Sequence, residues 1–418
     1  MIYVIVIFFD LLAPWIGVIG MENGAYSLTA SEYGYKVGAT QAFLMHIVLI
    51  ALTIYVLNNF KVFKKGNFKL PDAFFSMENK IGNQNVELIA IVFLSALFAF
   101  HNLILAGGLS VVEGMTGRGE FRTGLGGNGA LSYLVIKWYA PVLLAYSCVV
   151  CFRSYNFWSY VLTSIVFAFC LMSSMSFGYK AAIVLLVTPS LMILFWKPKI
   201  VTLLLFPSFG LTLIIGGYLF FGTDKVGSAA NGFLKNGVLD QLIYRVFVLQ
   251  GELPWKIWGE YVLGNELPSY AVTLKSLLGG RLGGLLFGAG SQMPEAIVAT
   301  NFGMMTTHFA GYPIEGVLAG NNATATAFSE GVIAGGILGV ILVSILAGIV
   351  IYSVYRALDF SIANKYNIYS SVLSVYSIFG VMSWLIGGGI STLIHISVVF
   401  GFITSILMLM AIKSLARN

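Results

Sequence analysis

The sequence predicts an all-α polytopic membrane protein of about ten transmembrane helices, with one large loop that carries short interfacial helices. Three observations lead there. Its 418 residues are 58% hydrophobic and only 10% charged, too little charge to cover a soluble core of that size. Apolar runs of ~18 residues or more recur along the chain, the length a helix needs to cross a hydrocarbon core of ~30 Å while pairing its own backbone groups. Basic residues gather in every second connection between those runs.

The first run, residues 2–19, has no basic stretch before it and no small-residue cleavage site after it. It reads as a retained helix rather than a removed signal peptide. Further runs cover 41–58, 86–107, 131–152, 157–174, 181–196, 200–222, 325–352, 368–390 and 391–412. Lys61, Lys64, Lys65, Lys69 and Lys80 follow the second run, Arg153 the fourth, Lys197 and Lys199 the sixth, Arg356 and Lys365 the eighth, and Lys413 and Arg417 the last. The positive-inside rule turns these connections, and both termini, toward the cytoplasm. Residues 1–222 then hold helices one to seven, 223–324 form a large outward loop, and 325–418 hold helices eight to ten.

A connection of roughly 100 residues is too long for a passive linker. Within it, "QLIYRVFVLQGELPWKIWGEYVL" and "LKSLLGGRLGGLLFGAG" are apolar, and Trp255, Trp258 and Tyr261 place helices at the headgroup level or re-entering the protein. Cys148, Cys151 and Cys170 all lie in apolar runs, so packing is their expected role rather than a disulfide or a metal site.

Given this topology, most ionisable residues of the spans share one depth. His46, His101, Asn102 and Lys137 fall near outer ends, Lys180 begins the sixth span from outside, and Glu330 and His395 lie about one turn into the eighth and tenth. Only Asp10 reads as central. Snorkelling toward water explains the long lysines; shorter His and Glu side chains point instead to a cavity or a partner. Glu330 sits where the start of the eighth helix favours an anion, with Thr324 or Thr326 as cap. It reads either as a dipole partner of that helix or as a group that orients or deprotonates a sugar hydroxyl, or holds a basic residue, beside a bound phosphate. Arg245 and Glu252, seven apart, share a helix face as an interfacial ion pair or as a phosphate grip. Arg281 is flanked by glycines that allow close backbone approach, His308 is an external imidazole suited to general-base work, and Asn321 and Asn322 suit sugar hydroxyls. The sequence carries no Walker motif, dinucleotide fingerprint, H-E-x-x-H or acidic metal cluster. Neither a metal, a cofactor nor a nucleic acid is therefore an expected partner.

With its dominant loop in the second half and the stretches "SMSFGYKAAIVLL", "IYRVFVLQGE" and "NNATATAFSEGVIAGGILG", the chain resembles Wzy-type O-antigen or capsular repeat-unit polymerases of the bacterial inner membrane. Relatives often carry Arg where Lys180 stands. The resemblance implies a metal-independent glycosyltransferase that joins undecaprenyl-pyrophosphate-linked oligosaccharides at the periplasmic face, alongside a flippase and a chain-length regulator. It implies that Lys180, Arg245 and Arg281 bind pyrophosphate, that Glu252, His308 or Glu330 acts as acceptor base, and that Asn321, Asn322 and the tryptophans contact sugar. The rivals are an O-antigen ligase, which shares the donor, a secondary transporter, which calls for inverted repeats, broken helices and midplane polar groups, and a non-enzymatic membrane scaffold, in which Arg245 and Glu330 would be replaceable.

Overall fold

The computed structural model describes residues 2–25, 34–60, 83–112, 115, 121, 129–154, 156–176, 182–196, 247–270, 302–318 and 325–417. Among these residues the regular elements are all helical. They include α1 (Ile2–Glu22), α2 (Ala39–Asn59), α3 (Gln84–Leu105), α4 (Gly129–Ser154), α5 (Phe157–Met175), α6 (Ala182–Leu194), α7 (Leu249–Leu263), α8 (Phe302–Phe309), α9 (Ile314–Leu318), α10 (Ala327–Ala363), α11 (Asn367–Gly387) and α12 (Ser391–Leu415).

Seven of them, α2 to α5 and α10 to α12, are long and apolar enough to cross a membrane. That makes the chain an all-α polytopic membrane protein. Helix α1, 21 residues long, occupies the first predicted run. Helix α6 has 13 residues and spans ~20 Å, less than a hydrocarbon core. The run at 200–222, the lysines from Lys61 to Lys80, Lys197 and Lys199 lie outside the described residues.

Local chemistry sets several helix starts. Asn83 accepts the backbone N–H of Asn85 at 3.1 Å, Asn156 that of Trp158 at 3.4 Å, and Thr326 that of Ser329 at 3.4 Å, each satisfying a donor the helix leaves unpaired. Glu22, at the end of α1, does the same for α2 from a distance. Its carboxylate accepts the N–H groups of Val37, Ala39 and Thr40 and the Thr40 hydroxyl.

Two apolar clusters organise the bundle. One joins α1, α2, α7 and α10, with Phe302 of α8 and part of α11. The other joins α3, α4, α5 and α12 around α4, the most enclosed of the spans. Helix α11 forms the seam, with Tyr376 and Phe379 packed against both clusters. Its buried serines, Ser370, Ser371, Ser374 and Ser377, donate back to carbonyls of their own helix, so a small face is buried without unpaired hydroxyl protons.

Arg153, Lys365, Lys413 and Arg417 collect at one end. Arg153 of α4 donates to the Lys365 carbonyl at 3.1 Å, and Glu87 of α3 faces the charges of Lys413, Arg153 and Arg417. Arg356 and Asp359 pair at 3.9 Å, and the Trp196 indole donates to Asp359 at 3.0 Å. An alternating up-and-down path is what brings the ends of α4, α10 and α12 together, so the charge pattern of the sequence matches the geometry.

Helix α10 differs from the expected eighth span. A straight helix of 37 residues would be ~55 Å long, far more than a bilayer needs. The backbone breaks at Gly335 and Gly336, and Gly331 returns into backbone contact with Gly339 and Val340. Residues 327–334 and 337–363 are therefore the antiparallel arms of a tight helical hairpin. The longer arm runs parallel to α2, with Ser344 against His46 and Gly348 against Ile50 and Thr53.

The break needs glycine at one position. Gly336 has φ 59° and ψ −135°, and the Tyr261 ring of α7 fills the space a Cβ would take. Gly335 has extended φ and open space around its missing Cβ. Gly336→Ala is expected to destabilise the protein by about 2–3 kcal/mol, while Gly335→Ala stays within about 0.5 kcal/mol. Thermal unfolding of both variants in detergent checks the contrast; equal shifts would remove the hairpin from the account.

Candidate functional site

Glu330 stands on the short arm of the α10 hairpin, about 8 Å below its tip at five residues from the break. The expected position, one turn into a helix descending from the loop, is corrected: this arm climbs toward the tip before the chain descends. The side chain is fully buried. Trp384 of α11 donates its indole N–H to one carboxylate oxygen at 2.7 Å; the Ile390 backbone N–H and the Tyr270 hydroxyl donate to the other at 2.8 and 3.3 Å. All three donors are neutral, so among the described residues the carboxyl group is held by oriented dipoles rather than by a cation. Burial, followed by the Glu330 charge and hydrogen bond, pushes the Tyr270 phenol up to about 12, which keeps its proton on the donor side.

This junction draws on four segments: the hairpin arm, the end of α11, the turn before α12 and the 265–270 stretch. Phe302 of α8 closes the turn, lying where a Cβ on Gly388 or Gly389 would go. Below Phe328 the hairpin meets α2. Ser344 donates to the Val340 carbonyl at 2.5 Å, so its oxygen accepts from His46 Nδ1 at 2.7 Å, and the buried Nε2 carries the lone pair. The His46 ring sits against Phe43 and Phe328, at 5.8 and 6.0 Å between centroids.

Helix α7 carries Glu252 into the bundle. It crosses α1 at Gly17 and Gly251 so closely that a Cβ on either glycine would collide with the other backbone. Glu252 is buried there. Trp255 and Trp258, expected to lie interfacially and to touch sugar, are buried as well. Their indoles donate to the carbonyls of Tyr35 at 3.2 Å and Val37 at 3.0 Å. Of the two placements the sequence left open, α7 takes the one inside the protein.

His308 is different, because it is exposed. Its Nδ1 lies 2.9 Å from the Tyr312 carbonyl oxygen, which can only accept, so Nδ1 is the donor and the neutral ring presents its lone pair at Nε2. Helix α8 holds it from two sides, by Phe302 at the 388–389 turn and by Phe309 under the Lys256 ammonium, 5.7 Å from the ring centroid.

Lys180, Arg245, Arg281, Asn321 and Asn322 lie outside the described residues. The polar groups expected at one depth separate into two places. Glu330 and His46 belong to the first cluster, while His101, Asn102, Lys137 and His395 line the top of the second. Asp10 lies midway along α1, with Oδ2 buried and no hydrogen-bond partner among the described residues.

The sequence reading missed Trp384, Tyr270 and the Gly388–Ile390 turn as partners of Glu330. The run of three glycines at 387–389 between two apolar runs was the available signal, since an exposed backbone N–H suits a buried carboxylate. Comparison of the chain with protein-family models, curated proteins and solved structures finds no match.

Glu330→Gln keeps the volume but turns one acceptor into a donor aimed at another donor. A loss of about 2–3 kcal/mol is expected, against about 1 kcal/mol for Tyr270→Phe, which removes only the longest of the three bonds. Unfolding midpoints in detergent measure both. If Glu330→Gln melts with the wild type, the carboxylate is not a structural anchor.

Proposed function

We propose that this chain is a metal-independent glycosyltransferase of the Wzy type, joining undecaprenyl-pyrophosphate-linked repeat units at the periplasmic face of a bacterial inner membrane. The observation that carries this reading is His308. A side chain whose Nδ1 proton is tied to a carbonyl and whose Nε2 is exposed has the form of a general base, and it stands on the loop-borne layer away from the basic end.

In the proposed reaction, Nε2 takes the proton of an acceptor sugar hydroxyl. That oxygen forms a bond to the anomeric carbon of the donor as the bond to the diphosphate breaks. The released diphosphate keeps the bonding electrons, and Lys180, Arg245 and Arg281 balance its charge. Asn321 and Asn322 orient sugar hydroxyls. Glu252 is the alternative base on α7, while Glu330, with both oxygens engaged, suits the holding of the hairpin beside the acceptor. The basic end then faces the cytoplasm with both termini, and a flippase and a chain-length regulator act alongside. A ligase would use the same donor and differ only in acceptor.

A secondary transporter gains one supporting observation, the broken helices at Gly335–Gly336 and at His395. Uptake of a solute against its gradient by proteoliposomes would favour it.

Complementation of a polymerase-deficient strain tests the main reading. At matched membrane levels, His308→Ala, Lys180→Ala and Arg245→Ala are expected to stop the glycan ladder at one repeat unit. Full ladders from all three would rule out the site; a wild-type chain that restores no ladder there but restores attachment to lipid A core in a ligase-deficient strain would mean a ligase.

A further inference from the structure

Lys137 stands on the turn of α4 that packs against α12, and His395 begins the long part of α12, both away from the basic end. Lys137 belongs to a π-helical turn, Val135–Tyr139, that is wedged onto α12 from both sides. The Tyr139 hydroxyl bonds Thr404 at 3.0 Å, and the Trp138 ring lies on Gly401, where a Cβ would strike it. With Trp138 and Tyr139 fixed on α12, the residue before them, Lys137, is left on the exposed side. Its ammonium lies 5.8 Å from the Tyr133 ring centroid, is exposed, and acts electrostatically on His395.

His395 sits in the break of α12, as cap of the helix Ile396–Leu415. The Ser397 N–H donates to its Nδ1 at 3.2 Å, which puts the proton of the neutral ring on Nε2. An ammonium and an imidazole N–H therefore stand at one corner, beside the positive end of a 20-residue helix whose Ser397, Val398 and Val399 N–H groups are already bonded to His395. His101, on the π turn of α3, is held 3.3 Å from Ser132, a little over one turn before Lys137.

The surroundings indicate what completes this corner. Ile394, Ile396, Phe400 and Leu131 are 58%, 49%, 53% and 40% exposed, an apolar collar around a cationic centre. A soluble anion gains nothing from such a collar, whereas a lipid uses both: its phosphate meets the cationic groups and its chains lie along the apolar faces. We propose that the α4–α12 corner is a binding site for the phosphate of a membrane lipid, held by the Lys137 ammonium and the His395 Nε2–H. The site is separate from the proposed polymerisation chemistry and stands whether or not that chemistry does.

Native mass spectrometry of the full chain in neutral detergent tests the site, using phosphatidylglycerol, undecaprenyl phosphate, diacylglycerol and inorganic phosphate as probes. One or both phospholipids are expected to bind. Lys137→Gln and His395→Gln should each weaken retention about tenfold, Lys137→Arg should restore it, and Lys365→Gln, at the opposite end, should leave it unchanged. Preference for undecaprenyl phosphate identifies a polyprenyl ligand, and preference for phosphatidylglycerol a bulk lipid; either supports the site. Retention unchanged in both Gln variants, equal retention of diacylglycerol, or equal competition by inorganic phosphate would overturn it.

Discussion

A buried carboxyl group, bonded among the described residues by neutral donors, holds the α10 hairpin to the rest of the bundle. Glu330 is fully buried, yet its hydrogen bonds come from an indole, a phenol and a backbone N–H. Removing a charge from water costs several kcal/mol, so such a group persists only where fixed donors replace its hydration. Those donors lie on α11, on the turn after it and at the end of the 265–270 stretch. Each is positioned by its own element, and Glu330 binds the elements to one another.

The hairpin is also a packing solution. Gly331 and Gly339 allow its arms to touch backbone to backbone, Tyr261 fills the angle at Gly336, and Phe328 enters a ring cluster with Phe43 and Trp258. Helix α7 reaches this cluster because Gly17 and Gly251 remove the side chains that would keep it away from α1. Part of a loop that hydropathy assigns to the outside is thereby built into the core. The bundle consequently presents unlike ends: the cluster of Arg153, Lys365, Lys413 and Arg417 at one, and at the other a buried Glu330 with the exposed His308 imidazole.

The two apolar clusters carry different polar features. The hairpin cluster holds Glu330 and His46, both enclosed by protein. The α3–α4–α12 cluster carries Lys137 and His395 toward its surface, aimed by a π turn and a helix break. An extra residue in a helix turn redirects side chains without ending the helix, which is why such turns recur where orientation matters. Serine-lined α11 joins the clusters while leaving its own polar groups satisfied.

By itself the sequence determined what depends on neighbours along the chain. Apolar run length identified the spans α2 to α5 and α10 to α12, basic residues separated the two ends, and Thr326 was legible as a cap because capping acts over a few residues. Glu330 was visible as an anomaly, but its partners were not, since Trp384 is 54 positions away and Tyr270 and Ile390 are each 60. His46 and Ser344 are 298 apart. Hydropathy cannot distinguish a 37-residue span from a hairpin, because both are equally apolar; the turn rests on one left-handed glycine and the ring that fills its corner. Only the tertiary structure decided that Trp255 and Trp258 face inward, because burial depends on which helix approaches rather than on how apolar the residue is.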